Sequence, residues 1–285
     1  MAQLGAAIRG AGVTFRDFFM QNTMAVTKPW EPVVTTLSSD RAVETFSGMT
    51  GVGTLTLFAE GSTIPSAARY KLYDTAFSHK QYGKNLQLTR LNLLNRDWSG
   101  QLNEFKSLTI GANTLASKAP AQIFNGAFTN SGVFTLNGVQ VTTYADGKNL
   151  CSVAHPRVDG GSAQSNASAT SIPLTESNFE TGRIALMEQL QDDGTPIVNM
   201  GQVDLVVPLK LEKQGQIITG STLRSGTANN DINIYAGGGY QVFSSVWLDA
   251  ANSGSDTAWF LVAPQASKLC FIKRNGPDME QSIDK

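Results

Sequence analysis

Charged side chains are scarce in this sequence. Asp, Glu, Lys and Arg make up 16% of the 285 residues, whereas about a quarter is usual in globular proteins. The formal net charge is −1, so no strong basic field is present to attract nucleic-acid phosphates. Because charged residues are depleted in the cores of interfaces, this composition fits a subunit that its neighbours largely cover. It fits a β-rich secreted protein as well.

Cysteines and long apolar runs are scarce too. Cys151 and Cys270 are the only cysteines, which is a poor match to a disulfide-stapled secreted scaffold, and we expect buried free thiols. The N-terminal segment carries Arg9 and Arg16 but no continuous apolar core of a secretory signal. No apolar run approaches the ~20 residues that cross a bilayer. These absences predict a cytosolic protein without membrane contact.

Side chains suited to catalysis or metal binding are few. His79 and His155 are the only histidines. His155, Ser152 and Asp146 supply the residue types of a catalytic triad, but they lie in one short stretch without a G-x-S-x-G turn. Cys151 and His155 have i, i+4 spacing, yet the second clustered pair of a zinc site is lacking. We therefore expect no enzyme activity, no cofactor and no metal.

The first 45 residues show no lasting periodicity and predict an extended arm. Two prolines between positions 28 and 32 favour extended backbone. The large aromatic side chains of the arm need a partner, so it should lie across its own domain or an adjacent subunit. A short helix at 15–20 that docks locally is the alternative. Together with aromatics further along, they form our candidate assembly-interface residues: Phe15, Phe18, Phe19, Trp30, Tyr70, Tyr73, Phe77 and Tyr82.

Residues 46–95 predict β-structure. Apolar residues lie there in short, nearly alternating runs that glycines interrupt. Two strands around a polar tip fit this pattern, and a two-stranded ribbon is marginal alone, so we expect a neighbouring subunit to hold it. The runs comprise Leu55 and Leu57, Tyr70 and Leu72, and Leu86, Leu88 and Leu91.

A helical period begins at Asp97. Apolar residues recur at three- and four-residue steps and predict a helix of about 24 residues. Asn95 or Asp97 is expected to cap its start, and Pro120 to kink or end its last turn. Short strands and polar loops are expected between 131 and 174.

The C-terminal half predicts an α+β sheet. A helix over 175–191 should be capped by Thr175 or Ser177 and followed by a terminating turn at 192–194. A buried strand over 203–208 and a helix over 209–219 follow. Further strands are expected at 231–235, 241–244 and 258–262. The core positions expected in the helix over 175–191 are Phe179, Leu186, Met187 and Leu190.

The order of motifs resembles the major head subunit of Mu-like tailed phages. In that family a "DGKPLFSxxHP" segment precedes a small-residue loop, a helix that starts "LT/SE", and a "DDGxP" stop. Here Y-A-D-G-K-N-L-C-S-V-A-H-P is followed by a Gly/Ser/Asn-rich spacer, L-T-E and D-D-G-T-P. The run 77–95 and the tail 270–278 resemble the family as well, so the resemblance spans about 70 to 278. The matching positions in the motifs are Asp146, Gly147, Lys148, Leu150, Ser152, His155, Pro156, Leu174, Thr175, Glu176, Asp192, Asp193, Gly194 and Pro196.

The resemblance implies an α+β chain with the Hong Kong 97 phage-type major capsid fold. Its parts would be an N-terminal arm (1–45), an extended β-hairpin loop (46–95), a long spine helix with the peripheral domain (96–174), an axial domain with return strands (175–262), and a closing peripheral-domain strand with a tail (263–285).

The function that the resemblance implies is that of a major capsid protein. Copies would self-assemble into hexamers and pentamers of an icosahedral shell around double-stranded DNA, in the virion, after assembly in the host bacterial cytoplasm. Scaffold, decoration and portal proteins would be further partners, and the packaged DNA would make no sequence-specific contact. Residues 219–230 or the turn 236–239 would line the capsomer axis. The alternatives are a β-rich cytosolic or secreted binding protein of small oligomeric state, and a hydrolase.

Overall fold

A computed structural model of the chain describes residues 16–17, 30, 33–87, 91, 99–197, 201–223 and 231–274. The helices with defined bounds are α1 (Ser99–Asn125), α2 (Glu176–Met187) and α3 (Glu212–Gly220). The strands are β1 (Thr35–Ser38), β2 (Val43–Phe46), β3 (Thr75–Ser78), β4 (Val133–Leu136), β5 (Val139–Thr142), β6 (Asp204–Pro208), β7 (Val242–Ser245), β8 (Phe260–Val262) and β9 (Cys270–Lys273). Helices and strands are mixed along the chain, as the sequence predicts.

Strand β6 is the centre of the fold. It pairs in parallel with β7 and antiparallel with β8, and all five of its residues are buried. Since side chains alternate across a strand, Val206 faces one hydrophobic core, whereas Leu205 and Val207 face another. This confirms the predicted buried strand. A short 3₁₀ turn (Leu209–Leu211) and then α3 follow it, which confirms the helix expected over 209–219.

The first core lies between β6 and the C-terminal half of α1. Phe124 stacks on Trp30 with ring centroids 6.1 Å apart. The Asn125 side chain donates a hydrogen bond to the Trp247 carbonyl at 2.9 Å, which ties the end of α1 to the turn after β7. The buried members of this core are Trp30, Val33, Val34, Ala121, Phe124, Val206, Leu248 and Val262.

The second core lies between β6 and helices α2 and α3. Phe179 of α2 is fully buried and meets Tyr235 and Tyr240 edge to face, with centroids 5.2 and 5.5 Å apart. Thr175 caps α2, because its side-chain oxygen accepts the Asn178 N–H at 3.2 Å. The cap and Phe179 are both placed as predicted. The buried members of this core are Leu174, Phe179, Leu205, Val207, Ile218 and Tyr235.

The sequence left open whether Pro120 kinks or ends the last turn of α1. The helix runs through Pro120 to Asn125, so an end at the proline is wrong. A proline removes one helical hydrogen bond. Burial of Ala121 and Phe124 immediately after it keeps the last turn in place. The proposed caps Asn95 and Asp97 lie outside the described residues.

Helix α2 ends earlier than predicted, at Met187. Met187 is 39% exposed and is not a core residue. The turn at 192–194 does not terminate the helix but closes a small hairpin in which Leu190 pairs with Pro196. Gly194 takes a positive φ of 81° at this turn, a conformation that favours glycine.

The strand expected at 231–235 does not form. The Asn233 amide donates to the carbonyls of Ile218 and Ser221, and its side-chain oxygen accepts the Tyr235 N–H. These bonds satisfy backbone groups locally and build a turn instead. The strands expected at 241–244 and 258–262 are present as β7 and β8.

Three two-stranded sheets complete the described chain. β1 pairs in parallel with β9, β2 antiparallel with β3, and β4 with β5 as a hairpin. Asn137 and Gly138 both have positive φ at the hairpin turn, as the twist of a two-residue turn requires. Short strands between 131 and 174 and a late strand at 270 are confirmed.

Candidate assembly surfaces

A long loop extends beyond the β2–β3 pair. Three hydrogen bonds close its base: Leu72 N–H to the Gly48 carbonyl, Thr50 N–H to the Tyr70 carbonyl, and Tyr70 N–H to the Thr50 hydroxyl, at 2.8–3.0 Å. Every residue from 51 to 70 is exposed. We call this segment the exposed loop. Loops of this length without secondary structure are uncommon and are usually functional.

The exposed loop carries large apolar side chains. Leu55 is 92% and Leu57 98% exposed, and Val52, Phe58 and Ile64 are exposed as well. The prediction of a strand at Leu55 and Leu57 is wrong, because neither residue takes part in a strand pairing among the described residues. Several large apolar side chains left exposed on one loop indicate a candidate interaction site.

A carboxylate anchors the base of the exposed loop to the body of the chain. Asp193 lies against the backbone of Gly51 and Gly53, and its Oδ1 accepts the Thr195 hydroxyl at 2.6 Å and the Thr195 N–H at 2.9 Å. These hydrogen bonds, the Thr195 hydroxyl first, hold the pKa of Asp193 below its ordinary value. A Cβ at position 51 would lie 2.6 Å from Asp193 Oδ2, so this contact requires glycine at Gly51.

Four of the candidate interface aromatics lie on or beside the legs of this loop. Tyr70 and Tyr82 are exposed. Tyr73 and Phe77 are half-buried in edge-to-face pairs with Tyr144 and Phe46, at centroid distances of 5.6 and 5.4 Å. The Tyr82 hydroxyl accepts the N–H of Gln140 at 3.3 Å, so this leg contacts β5. Their contact with a neighbouring subunit stays a prediction.

Trp30 is corrected as an interface candidate. It is only 5% exposed and packs against Phe124 in the first core of its own chain. Of the two positions that the sequence left open for the arm, Trp30 takes the one in its own domain, because α1 offers it a flat aromatic partner. Phe15, Phe18 and Phe19 lie outside the described residues.

His155 is held between two acceptors. Its Nδ1 lies 2.6 Å from Asp146 Oδ2, and its Nε2 lies 3.2 Å from Asn166 Oδ1. The Ser152 N–H also donates to Asn166 Oδ1, while the Ser152 hydroxyl accepts the Ala154 N–H. Both ring nitrogens are therefore engaged by groups other than a serine hydroxyl. The structure brings the three triad residue types close together but not into a nucleophile–base pair.

Cys151 and Cys270 are free thiols, as predicted, and both are partly buried. Burial raises the pKa of Cys151 to about 12 and also raises the pKa of Cys270. In the part of the chain that the structure describes, no three His, Cys, Asp or Glu side chains come together as a metal site. Among the same residues, no helix combines the length and the apolar character of a bilayer span.

Residues 72–281 match the family model described as "Phage capsid protein", which is well over half of the 285 residues. This span agrees with the region of resemblance inferred from the motifs. No curated protein matches the sequence.

The fold is similar to that of solved phage capsid chains. The bacteriophage JBD30 capsid aligns with a TM-score of 0.58 and 13% identity, over 79% of this chain and 92% of that one. The JBD30 procapsid aligns with a TM-score of 0.57 and 16% identity, over 85% and 99%. A JBD30 capsid decorated with minor capsid protein trimers gives 0.54 and 15%, over 79% and 92%. At such low identity the likeness concerns the fold alone.

Proposed function

The chain belongs to the phage capsid protein family and is a major capsid protein, and we propose that it forms hexamers and pentamers of an icosahedral shell. In this proposal the fold is of the Hong Kong 97 type and the virus is a Mu-like tailed phage or prophage. The supporting features are the order of motifs between 144 and 196, the family match, and the likeness to the JBD30 capsid.

The parts of the subunit are proposed as follows. α1 is the spine helix within the peripheral domain (96–174), and the exposed loop is the tip of the extended β-loop (46–95). The β6–β8 sheet with α2 and α3 belongs to the axial domain (175–262). Residues 1–45 are proposed as the arm and 263–285 as the closing strand with the tail, although much of the arm and residues 275–285 lie outside the described residues. The capsomer axis is proposed to be lined by residues 219–230, of which 224–230 lie outside the described residues, or by residues 236–239.

The exposed loop is the observation that carries the assembly proposal. Burying one leucine is worth about 1.5–3 kcal/mol, and Leu55 and Leu57 gain almost none of this in the single subunit because they are nearly fully exposed. Asp193 fixes the base of the loop, which lowers the ordering entropy lost on contact with a neighbour. A neighbouring subunit of the shell therefore covers the loop.

The remaining partners follow from charge and redox state. A net charge of −1 gives the shell no strong grip on phosphates, which fits DNA enclosed without sequence-specific contact. Free thiols suit assembly in the reducing host cytoplasm, before the subunit becomes part of the virion. Decoration, scaffold and portal proteins are proposed as additional partners, of which minor capsid proteins are seen on the JBD30 shell.

The proposal is tested by a pair of matched double variants in the exposed loop. Leu55→Ser with Leu57→Ser removes the apolar contact, and Leu55→Met with Leu57→Met keeps it. Losing two buried leucines raises the concentration needed for assembly by at least roughly 100-fold. Sedimentation velocity and negative-stain electron microscopy measure assembly, and urea unfolding of the separated subunits measures folding.

We expect the methionine variant to form shells or capsomer rings, and the serine variant to stay mostly unassembled with unchanged unfolding. Equal assembly by both variants would show that the exposed loop is not an interface. A wild-type chain that remains monomeric at high concentration, with co-expressed scaffold candidates also giving no particles, would refute the shell proposal itself.

A further inference from the structure

The surroundings of His155 restrict its protonation state. A neutral imidazole donates from one ring nitrogen and accepts at the other, whereas an imidazolium donates from both. Here Nδ1 faces a carboxylate oxygen of Asp146 and Nε2 faces the side-chain oxygen of Asn166. Both neighbours are acceptors if the Asn166 amide is oriented as described.

Two further bonds fix that amide. Asn166 Nδ2 donates to the Leu150 carbonyl at 2.7 Å, and Oδ1 accepts the Ser152 N–H at 2.8 Å. Turning the amide over would set its NH₂ against an N–H and its oxygen against a carbonyl. Asn166 Oδ1 therefore has to face the ring, and only a protonated Nε2 can bond to it.

The carboxylate on the other side favours the same state. The Asp146 side chain is only 3% exposed. Its Oδ1 accepts the Lys148 N–H at 2.9 Å, which leaves Oδ2 to His155. A buried carboxylate is costly unless a positive charge or several donors compensate it. An imidazolium at 2.6 Å supplies both the donor and the charge.

We propose that His155 is a structural proton site, which the folded chain holds as the doubly protonated imidazolium. The titratable groups beside the ring are Asp146 and, on the walls of the same cavity of about 260 Å³, Tyr144 and Lys148. The Lys148 residue is exposed, so solvent screens its charge. The other polar side chains of the cavity, such as Gln164 and Gln189, are neutral.

The proton site lies where the segment 144–166 joins two helices. The Cys151 N–H donates to the Ala127 carbonyl just beyond α1. Two residues before Asn166, Gln164 exchanges two hydrogen bonds with the backbone of Leu190, just beyond α2. Loss of one ring proton places the Nε2 lone pair against Asn166 Oδ1 or the Nδ1 lone pair against Asp146. Loss of this proton therefore loosens the connection between the ends of α1 and α2.

The ring protons can be observed directly, because the chain has only two histidines. The full chain is labelled with ¹⁵N-histidine and its nitrogen shifts are recorded by magic-angle-spinning NMR near neutral pH. We expect an imidazolium signature for His155. The signal of His79, whose buried Nε2 has no hydrogen-bond partner among the described residues, is the internal comparison. His79→Gln assigns the two signals. A neutral tautomer at His155 would overturn the proposal.

Asp146→Asn provides a matched variant that keeps the shape of the site. The new amide presents its oxygen to the Lys148 N–H and its NH₂ to Nδ1, so His155 becomes the neutral Nε2–H tautomer and still bonds to Asn166. We expect the wild-type unfolding equilibrium constant to rise with pH where that of the variant does not, because only the folded wild-type chain has this ring proton to lose. Equal pH dependence in both chains would also overturn the proposal. Should the variant not fold, the wild-type spectrum decides alone.

Discussion

At the scale of single residues, burial makes Cys151 a poor nucleophile. The thiolate is the reactive form. With a pKa of about 12, thiolate is rare at mildly alkaline pH, so alkylation by iodoacetamide should be about 1,000-fold slower than for a free cysteine. The rate is measured by mass spectrometry in a Cys270→Ala chain. The same chain in urea is the control, and rapid labelling of the folded form would contradict the prediction.

Phe179 is the residue on which the second core depends most. It is fully buried between β6, α3 and two tyrosines, so Phe179→Ala leaves a cavity and should lower the free energy of unfolding by about 3–5 kcal/mol. Urea unfolding of the separated subunit measures this. Phe58→Ala in the exposed loop is the matched control, and we expect a change within about 0.5 kcal/mol. A loss for Phe179→Ala as small as that expected for Phe58→Ala would contradict the prediction.

Individual residues were predictable where the signal is local. Thr175 and Phe179 follow from the capping pattern and the helical period, and both lie as expected. Trp30 was misassigned because its partner, Phe124, lies on another element far along the chain. The anchoring role of Asp193 was missed for the same reason, since no local pattern shows that a turn carboxylate will meet Gly53. His155 was considered in the sequence only for a catalytic triad or a zinc site, and its two acceptors become visible only in the folded loop.

At the scale of elements, Asp193 should control the mobility of the exposed loop. Asp193→Ala removes the carboxylate that lies against the backbone of Gly51 and Gly53, so amide hydrogen exchange across residues 48–54 should become faster. Hydrogen–deuterium exchange with mass spectrometry measures this. Asp74→Ala, which breaks only the exposed Lys71–Asp74 pair on the other leg, is the control. Unchanged exchange in the Asp193 variant would show that the hairpin bonds alone hold the loop.

Acidification should also weaken the contact of Asp193 with the base of the exposed loop. The pKa of Asp193 is lowered in the folded chain, so its stabilising contribution is complete above the unfolded-state pKa and is lost as the pH falls through the folded-state value. Exchange of residues 48–54 should therefore rise on acidification, after correction for the intrinsic exchange rate. The Asp193→Ala chain should lack this pH-dependent rise. A rise of equal size in both chains would assign the effect to other carboxylates.

Elements with strong periodicity were predicted best. α1 and β6 follow from a sustained helical period and a compact apolar run. The end of α1 was predicted less well, because burial of Phe124 outweighs the proline signal. The strand expected at 231–235 was wrong, because the side chain of Asn233 builds a turn there. The partners of short strands are not readable either, since four residues carry too little pattern to select β9 for β1.

At the scale of the whole molecule, low charge sets how assembly responds to conditions. With a net charge of −1 and apolar contacts in the exposed loop, association should depend weakly on salt and should weaken on cooling. Light scattering at several salt concentrations, at about 5 °C and about 25 °C, measures the concentration needed for assembly. A steep salt dependence would instead indicate that ion pairs across the interfaces dominate.

The parallel pairing of β1 with β9 affects the order of events during synthesis. Thr35 is made 235 residues before its partner Cys270. Until then, β1 has no strand in its own chain with which to form this ladder. An interrupted translation product therefore retains an unpaired strand edge, which quality-control chaperones and proteases can distinguish from a finished subunit.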